Sequence, residues 1–143
     1  MRIRGLLFAC CIPVGGMAAI AAPANAQTYA PCGSYAAACL DLSDNQAWLM
    51  SGGAVTYGPV PVTTGREGYE TPVGVYNVTF KDADFWSTIY DGPMLYSVFF
   101  NGGIAFHEGS LDVLSHGCVH LSHEAAVTFF DTLSPGDVVE VVY

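Results

Sequence analysis

The sequence predicts a small, mostly β domain with one principal helix. Short β-prone runs, several of them alternating apolar and polar residues, recur between turns rich in glycine, proline or asparagine. One segment, residues 122–133, combines an N-cap residue with apolar residues at helical spacing. The 143 residues suit one domain, and neither an internal repeat nor a linker divides them. We therefore expect a single hydrophobic core built mainly from strands.

The strand predictions follow the apolar runs along the chain. In order, they are residues 46–50, 54–57, 60–63, 74–80, 94–100, 104–107 and 138–143. Asn101-Gly102-Gly103 is typical of a hairpin turn between the fifth and sixth of these segments. Residues 65–71 and 82–91 are polar or aromatic and are predicted to form loops.

The helix prediction depends on the two ends of the segment. Ser122 is a favourable N-cap, and Glu124 adds a carboxylate to the first turn, where it complements the helix dipole. Phe129 and Leu133 lie on one apolar stripe that a core would cover. The turn-forming residues 134–137 then end the helix.

The N-terminal residues predict a secretory signal peptide, residues 1–26. A basic start is followed by an apolar stretch, and small residues at Ala24 and Ala26 precede the expected cleavage point. An uncleaved membrane anchor and a lipoprotein modified at Cys10 are the alternatives. We expect cleavage, and therefore an exported protein with no stable membrane insertion afterwards.

The charge balance excludes several classes of partner. The chain has 4 Lys and Arg against 13 Asp and Glu, a net charge of −9. Signal cleavage would leave Arg66 and Lys81 as the only fixed cations. Such a chain lacks the basic surface that nucleic acid or anionic lipid requires, so no nucleic-acid partner is expected. An anionic substrate would have to be held by local contacts.

Three cysteines remain after the predicted cleavage. Cys32 and Cys39 flank a short loop of small residues and could form a disulfide, which suits an oxidising compartment. They lie in residues 27–45, which we expect to form an N-terminal arm ahead of a domain over residues 46–143. Cys118 is then the odd cysteine, and an odd cysteine in an exported protein indicates a reactive thiol or an intermolecular bridge.

The segment around Cys118 has the composition of an acyl-transfer site. A thiol is a weak nucleophile until a base takes its proton, and His107 near the end of a predicted strand could serve as that base. Gly117 allows a sharp turn that could aim the backbone amides of Gly117 and Cys118 at one point. Amides arranged in this way stabilise a developing oxyanion.

A purely structural role and a metal site are the alternatives for this segment. A lone cysteine is often a small buried hydrophobe, and a lone histidine is often structural. A zinc site is the sharper competitor, with five possible ligands: His107, His116, Cys118, His120 and His123. Their spacing matches no common zinc pattern and no CxxC motif lies nearby, so we expect no metal.

The residues Ser115-His116-Gly117-Cys118, with an upstream His107, resemble the signature of the L,D-transpeptidase (YkuD-type) catalytic domain. Further segments resemble the family as well: Thr64-Gly65 with Thr71-Pro72-Val73-Gly74, Ile104–His107, and Asp137-Val138-Val139. The resemblance covers residues 46–143. It implies a β-sandwich-like catalytic domain of a bacterial cell-wall enzyme, acting in the periplasm or cell-wall space.

The resemblance also implies a reaction and its residues. Enzymes of this family attack the bond between the third and fourth residues of a peptidoglycan stem tetrapeptide, hold the acyl group as a thioester and pass it to an amine on another stem. Cys118 would be the nucleophile and His107 the base, with His116 supporting the thiolate. Gly117 would offer an oxyanion amide, and Ser115 would fix the loop. No cofactor is implied, and carbapenems are expected to acylate the thiol.

The sequence departs from the family pattern in two places. His120 stands where the family has Arg or Asn, so binding of a substrate carboxylate there should weaken as the imidazole loses its proton. The spacer between His107 and Ser115 is short, which predicts a more open site. We expect His120, Tyr96 and Glu108 to contact substrate, and Glu108 or Asp112 to attract the acceptor amine.

Several functions are compatible with the sequence. Water could replace the amine, which would give an L,D-carboxypeptidase or a hydrolase of wall crosslinks. A non-catalytic wall-binding module and a zinc-binding exported protein are alternatives of another class, and the His107 and Cys118 pair argues against the first of these.

Overall fold

The computed structural model describes residues 29–143, which fold into two β-sheets and one helix. The strands are β1 (Ala38–Asp41), β2 (Gln46–Ser51), β3 (Ala54–Pro61), β4 (Gly74–Asn77), β5 (Phe80–Ser87), β6 (Gly92–Asn101), β7 (Ile104–Glu108), β8 (Val119–Leu121) and β9 (Val138–Val142), and the helix is α1 (His123–Thr132). The mostly β class with one principal helix is confirmed. The predicted signal peptide lies outside the described residues.

The first sheet has five strands in the order β3-β2-β1-β9-β4. Its central strand β1 pairs antiparallel with β2 and parallel with β9. The expected arm over residues 27–45 therefore contains a strand of the domain, and a boundary at residue 46 is too late. All four residues of β1 are buried, so the strand shows no alternation of apolar and polar residues.

The second sheet has four strands in the order β5-β6-β7-β8. The predicted turn at Asn101–Gly103 joins β6 to β7, which pair antiparallel. Residues 82–91, expected to be a loop, instead belong largely to β5, which pairs with β6 from Phe80 opposite Phe99 to Ser87 opposite Gly92. The long β5–β6 hairpin that results extends to a cavity beside Cys118.

The main core lies between the two sheets and α1. The helix places Ala125, Ala126 and Phe129 inward, and the Phe129 ring packs against Phe106 of β7 with centroids 5.0 Å apart. Ser122 caps the helix by accepting a hydrogen bond from the Ala125 backbone. The predicted helix over residues 122–133 is confirmed, with its first and last residues serving as the caps.

A smaller apolar cluster lies on the far side of the five-stranded sheet. It is built around Cys39, Trp48 and Met50, and Cys32 packs against it. A disulfide joins Cys32 to Cys39, and the Gly33 backbone N–H donates to the Glu140 carboxylate of β9 at 2.7 Å. These contacts fasten the loop ahead of β1 to the sheet. Within residues 29–143, no helix is long and apolar enough to cross a bilayer.

Candidate active site

Two parallel strands bring His107 and Cys118 to the same face of the four-stranded sheet. β7 and β8 pair with Phe106 opposite Val119 and His107 opposite His120. Successive side chains of a strand point to opposite faces, so Phe106 and Val119 enter the main core while His107 points the other way. Cys118 directly precedes β8 and packs in the Ala105 cluster, so it shares the face of His107.

The two side chains line one cavity of about 270 Å³. The end of the β5–β6 hairpin forms one wall, through Tyr90 and Met94, and the segment 113–116 forms the opposite wall. Among the described residues, no Lys, Arg, Asp or Glu side chain lines this cavity. The interior therefore carries no fixed charge, and its titratable groups are those of Cys118, the three histidines and Tyr90.

His107 is held as a neutral imidazole with one nitrogen available as an acceptor. Its Nδ1 lies 2.7 Å from the Glu108 carbonyl oxygen, which can only accept, so Nδ1 carries the hydrogen. Nε2 is then the unprotonated nitrogen of the neutral ring. Burial lowers the pKa of His107 to about 4; the backbone hydrogen bond to Glu108 opposes this shift, and the nearby His120 adds to it. At neutral pH the ring is in its basic form.

Cys118 is free and partly buried. Burial raises the pKa of the Cys118 thiol above its ordinary value, and a hydrogen bond from the Ala105 backbone partly offsets this effect. The thiol itself lies 3.5 Å from the Gly103 carbonyl oxygen and can donate to it. The resting site is therefore a neutral thiol and a neutral imidazole rather than a thiolate–imidazolium ion pair.

Buried hydroxyl groups hold the loop that carries the thiol. Ser115 Oγ donates to the Cys118 carbonyl at 2.6 Å and accepts from the Gly117 N–H at 3.0 Å. Thr71 Oγ1 donates to the Gly117 carbonyl at 2.7 Å and accepts from the Gly65 N–H at 3.1 Å. Gly117 has φ +121°, a conformation that side chains rarely adopt. The role of Ser115 in fixing the loop thus has a geometric basis.

One of the two expected oxyanion amides is already engaged. The Gly117 N–H donates to Ser115 Oγ, so in this conformation it is not free to donate to an oxyanion. In the sequence, Thr71 stands out only as part of a family segment, and its contact with the Gly117 carbonyl could not be inferred from spacing. Its burial, with 2% of the residue exposed, marks it as part of the site's support.

His116 lies across the mouth of the cavity. Its ring stacks on Tyr90 with centroids 4.3 Å apart and meets the edge of Tyr69 at 5.2 Å. The Arg66 guanidinium lies 4.6 Å from the centroid of Tyr69. These contacts join the 65–71 segment to the β5–β6 hairpin through His116.

The three expected substrate contacts lie in different places. His120 lines the cavity, and its Nδ1 lies 2.8 Å from the Ser110 carbonyl, which accepts its hydrogen. Tyr96 does not line it, because its ring packs against Phe130 and His123 of α1. Glu108 does not line it either, and its carboxylate pairs with His123 at 2.8 Å. The structure therefore brings only His120 of these three into the cavity.

The structure can be searched for side chains arranged as metal ligands within residues 29–143. No group of three or more His, Cys, Asp or Glu side chains there is arranged to hold an ion. Of the five zinc ligands considered from the sequence, His123 is turned toward Glu108 on the helix side.

The fold and the site together define a two-sheet domain with a cysteine and a histidine facing one cavity. The family model described as the L,D-transpeptidase catalytic domain (YkuD) matches residues 36–141. The chain belongs to the L,D-transpeptidase catalytic-domain family. The match begins before β1, in agreement with the place of that strand in the first sheet.

The fold of this chain is similar to that of solved structures from the same family. An L,D-transpeptidase from Stackebrandtia nassauensis is 30% identical with a TM-score of 0.70, over 73% of this chain and 53% of that one. One from Mycobacterium tuberculosis H37Rv is 26% identical with a TM-score of 0.65, over 71% and 55%. An L,D-transpeptidase in complex with imipenem is 24% identical with a TM-score of 0.64, over 71% and 56%.

The chain spans just over half the length of each of these three structures. Among curated proteins, no sequence matches this chain significantly.

Proposed function

We propose that the chain is a peptidoglycan L,D-transpeptidase that transfers an acyl group through a thioester at Cys118. The observation that carries this proposal is the placement of a free thiol directly ahead of β8 and a neutral imidazole on the neighbouring parallel strand β7, with both side chains lining one cavity. Membership of the family supplies the substrate class, the stem peptides of peptidoglycan, as both donor and acceptor. No cofactor is required for this chemistry.

In the first half-reaction, His107 Nε2 takes the thiol proton as Cys118 Sγ attacks the carbonyl carbon between the third and fourth stem residues. The tetrahedral intermediate collapses when the C–N bond breaks, and His107 returns the proton to the departing amine of D-alanine. Because neither group is charged at rest, proton transfer accompanies attack rather than preceding it. Cys118 is left as a thioester.

In the second half-reaction, an acceptor amine attacks the thioester carbon. His107 takes the proton that the amine loses, and gives it to Cys118 as the C–S bond breaks, so an amide forms and the thiol is restored. The developing oxyanion needs a donor in both steps. Since Ser115 already accepts the Gly117 N–H, we assign this role to the Cys118 N–H.

We also propose that the protein is exported and acts in the periplasm or cell-wall space. The Cys32–Cys39 disulfide supports this location, because structural disulfides persist in oxidising compartments. It is an observation independent of the N-terminal sequence pattern.

Intact mass spectrometry after incubation with a carbapenem tests the acyl-transfer proposal. A related L,D-transpeptidase has been solved in complex with imipenem, which makes that β-lactam the natural probe. We expect an adduct on the wild type that is absent from Cys118→Ala. A reduced Cys118 that forms no adduct, or zinc bound in the native spectrum, would overturn the proposal.

Purified tetrapeptide stems distinguish transfer from hydrolysis. Crosslinked dimers are the expected product. Tripeptides alone would replace the transpeptidase assignment with an L,D-carboxypeptidase on the same site.

A further inference from the structure

Two imidazoles line the thiol cavity from neighbouring strands. His107 on β7 and His120 on β8 are opposite each other in the parallel pairing, and their ring centroids lie 4.9 Å apart. Both belong to the wall of the cavity that contains Cys118. The mechanism above uses only His107 as a base, so the second ring has no assigned part in proton transfer.

His120 carries its hydrogen on Nδ1, as His107 does. Its Nδ1 lies 2.8 Å from the Ser110 carbonyl oxygen, and a carbonyl can only accept. In the neutral ring, Nε2 is then an acceptor without a hydrogen, and within residues 29–143 it has no hydrogen-bond partner. The neutral side chain can therefore take a proton at Nε2 but cannot donate one there.

The position of the His120 ring is fixed by its neighbours. The His120 backbone N–H donates to the Thr63 carbonyl at 2.8 Å, in addition to the pairing of β8 with β7. Gly109 leaves room for the ring, because a Cβ at this position would lie 2.7 Å from the His120 Cγ and Cδ2 atoms. A group held in this way is already oriented when a substrate arrives, as a catalytic group requires.

An amine acceptor has to lose a proton before it can attack. Primary amines are protonated at neutral pH, and a protonated amine has no free electron pair. No carboxylate of the described chain lines the cavity, and Cys118 is a thioester at this stage. The His116 ring is stacked on Tyr90 and meets the edge of Tyr69. Imidazole takes up protons near neutral pH, so His120 is the group beside His107 that can accept this proton.

We propose that His120 is a second base, which takes the first proton of the acceptor ammonium so that the neutral amine can attack the thioester. This inference rests on the proposed function and adds a catalytic residue to its second half-reaction. His107 Nε2 takes the second proton as the C–N bond forms, and passes it to Cys118 Sγ as the C–S bond breaks. The proton on His120 then leaves to water. The products are an amide, a free thiol and one released proton, so atoms and charge balance.

The short distance between the two rings favours this order of proton transfers. Burial lowers the pKa of His107 to about 4, and the nearby His120 contributes to this shift. His107 therefore holds its proton weakly while His120 is charged, and gives it up to the departing sulfur. Acylation brings no ammonium group to be deprotonated, so it requires His107 alone.

His120→Gln tests the second base, with His123→Gln as the matched control. Glutamine keeps a polar side chain but cannot take a proton, and His123 pairs with Glu108 outside the cavity. Both variants should form the carbapenem adduct at nearly the wild-type rate. Transfer of a pre-formed stem acyl group to a stem acceptor should be about 10²-fold slower in His120→Gln and unchanged in His123→Gln. Quenched-flow measurement of dimer formation gives this rate.

Hydroxylamine supplies the second comparison, because this nucleophile is largely neutral at neutral pH and brings no extra proton. Its rate of thioester release should be the same in the wild type and in His120→Gln. Imidazole added to the buffer should restore transfer to the stem acceptor in His120→Gln, which a purely structural role of His120 would not allow. Gly109→Ala displaces the ring but keeps the imidazole, so it should slow the same step to a smaller extent.

The outcomes separate the second base from the proposed function. If His120→Gln slows release by both nucleophiles equally, or slows neither, the second base is wrong and the thioester mechanism stands. Gly109→Ala carries the same comparison if His120→Gln does not fold. Absence of the carbapenem adduct or of dimers in the wild type would instead overturn the proposed function, and the second base with it.

Discussion

The five-stranded and the four-stranded sheets place their cysteines in opposite environments. Cys39 of β1 is fully buried and bonded to Cys32, in a cluster that includes Trp48 and Met50. Cys118, beside β8, is free and lines a cavity. Cysteine thus forms a disulfide at one sheet and supplies a candidate nucleophile at the other. The neighbouring residues account for this difference.

The buried polar side chains also differ between the two sheets. Around the thiol loop, Thr71, His107 and Ser115 are all buried and bonded to backbone groups. In the five-stranded sheet, Asp41 is the buried ionisable group, and it caps the turn that follows β1 through the Ser43 and Asp44 N–H groups. Buried hydroxyl groups of Thr71 and Ser115 therefore hold the backbone of the thiol loop, as expected of a pre-organised site.

The largest expected effect comes from removing the base on the four-stranded sheet. His107→Gln keeps a polar side chain but lacks the Nε2 acceptor, so the acylation rate should fall by roughly 10²–10⁴-fold. A time course of carbapenem adduct formation, followed by intact mass, measures it. His123→Gln is the control, because His123 lies on α1 and pairs with Glu108 outside the cavity. Equal rates in wild type and His107→Gln would contradict the assigned role.

Acid should destabilise the protein through the same residue. The pKa of His107 is lowered from its ordinary value of 6.5 to about 4 in the fold, chiefly by burial, so the unfolded chain binds more protons between these values. The stability contributed by the neutral ring is complete above pH 6.5 and is lost as the pH falls toward 4. The full contribution of His107 to the unfolding free energy is about 3 kcal/mol.

Urea unfolding at pH 7 and pH 4 measures this effect. The loss of unfolding free energy on acidification should be smaller in His107→Gln than in the wild type. If both proteins lose the same amount, then His107 is not the group responsible.

Removing the disulfide of the five-stranded sheet should lower the stability of the protein and leave its acylation rate unchanged. The double variant Cys32→Ala/Cys39→Ala should unfold with about 2.5 kcal/mol less free energy, since the unfolded chain regains the freedom of the short loop. Its acylation rate, measured well below the unfolding temperature, should match the wild type. Cys118→Ala is the reciprocal control, with acylation lost and stability little changed. A double variant that folds normally but acylates slowly would show that the two sheets are coupled.

The smallest expected effect concerns the cavity mouth. Tyr90→Ala removes the ring stacked on His116 and should raise the donor KM about threefold to tenfold, with little change in kcat. Trp86→Ala is the control, because Trp86 is exposed on the same hairpin and does not line the cavity. Steady-state release of D-alanine gives both constants. An equal effect of the two changes would indicate a general loss of hairpin order instead.

The sequence allowed the centre of the site to be predicted, because its key residues lie close together in the chain. Gly117 and Cys118 are adjacent, and His107, near the end of β7, precedes them by one short loop. The helix could also be predicted from the sequence, because the cap at Ser122 and the apolar stripe through Phe129 are local signals.

The features that the sequence did not reveal depend on distant partners. β1 is a strand because β9, near the other end of the chain, pairs with it in parallel. β5 alternates between exposed and half-buried residues, and its pairing with β6 rather than its own pattern makes it a strand. Tyr96 and Glu108 could not be placed from sequence, because the position of α1 decides that both meet His123.

The uncharged resting state of Cys118 also affects how long the protein stays active. Peroxides and disulfides react with the thiolate far faster than with the thiol, so a cysteine that ionises only at high pH is oxidised slowly. Burial of Cys118 raises its pKa and so slows this reaction. In an oxidising compartment, the desolvation that makes the sulfur depend on His107 for activation would also preserve it between substrates.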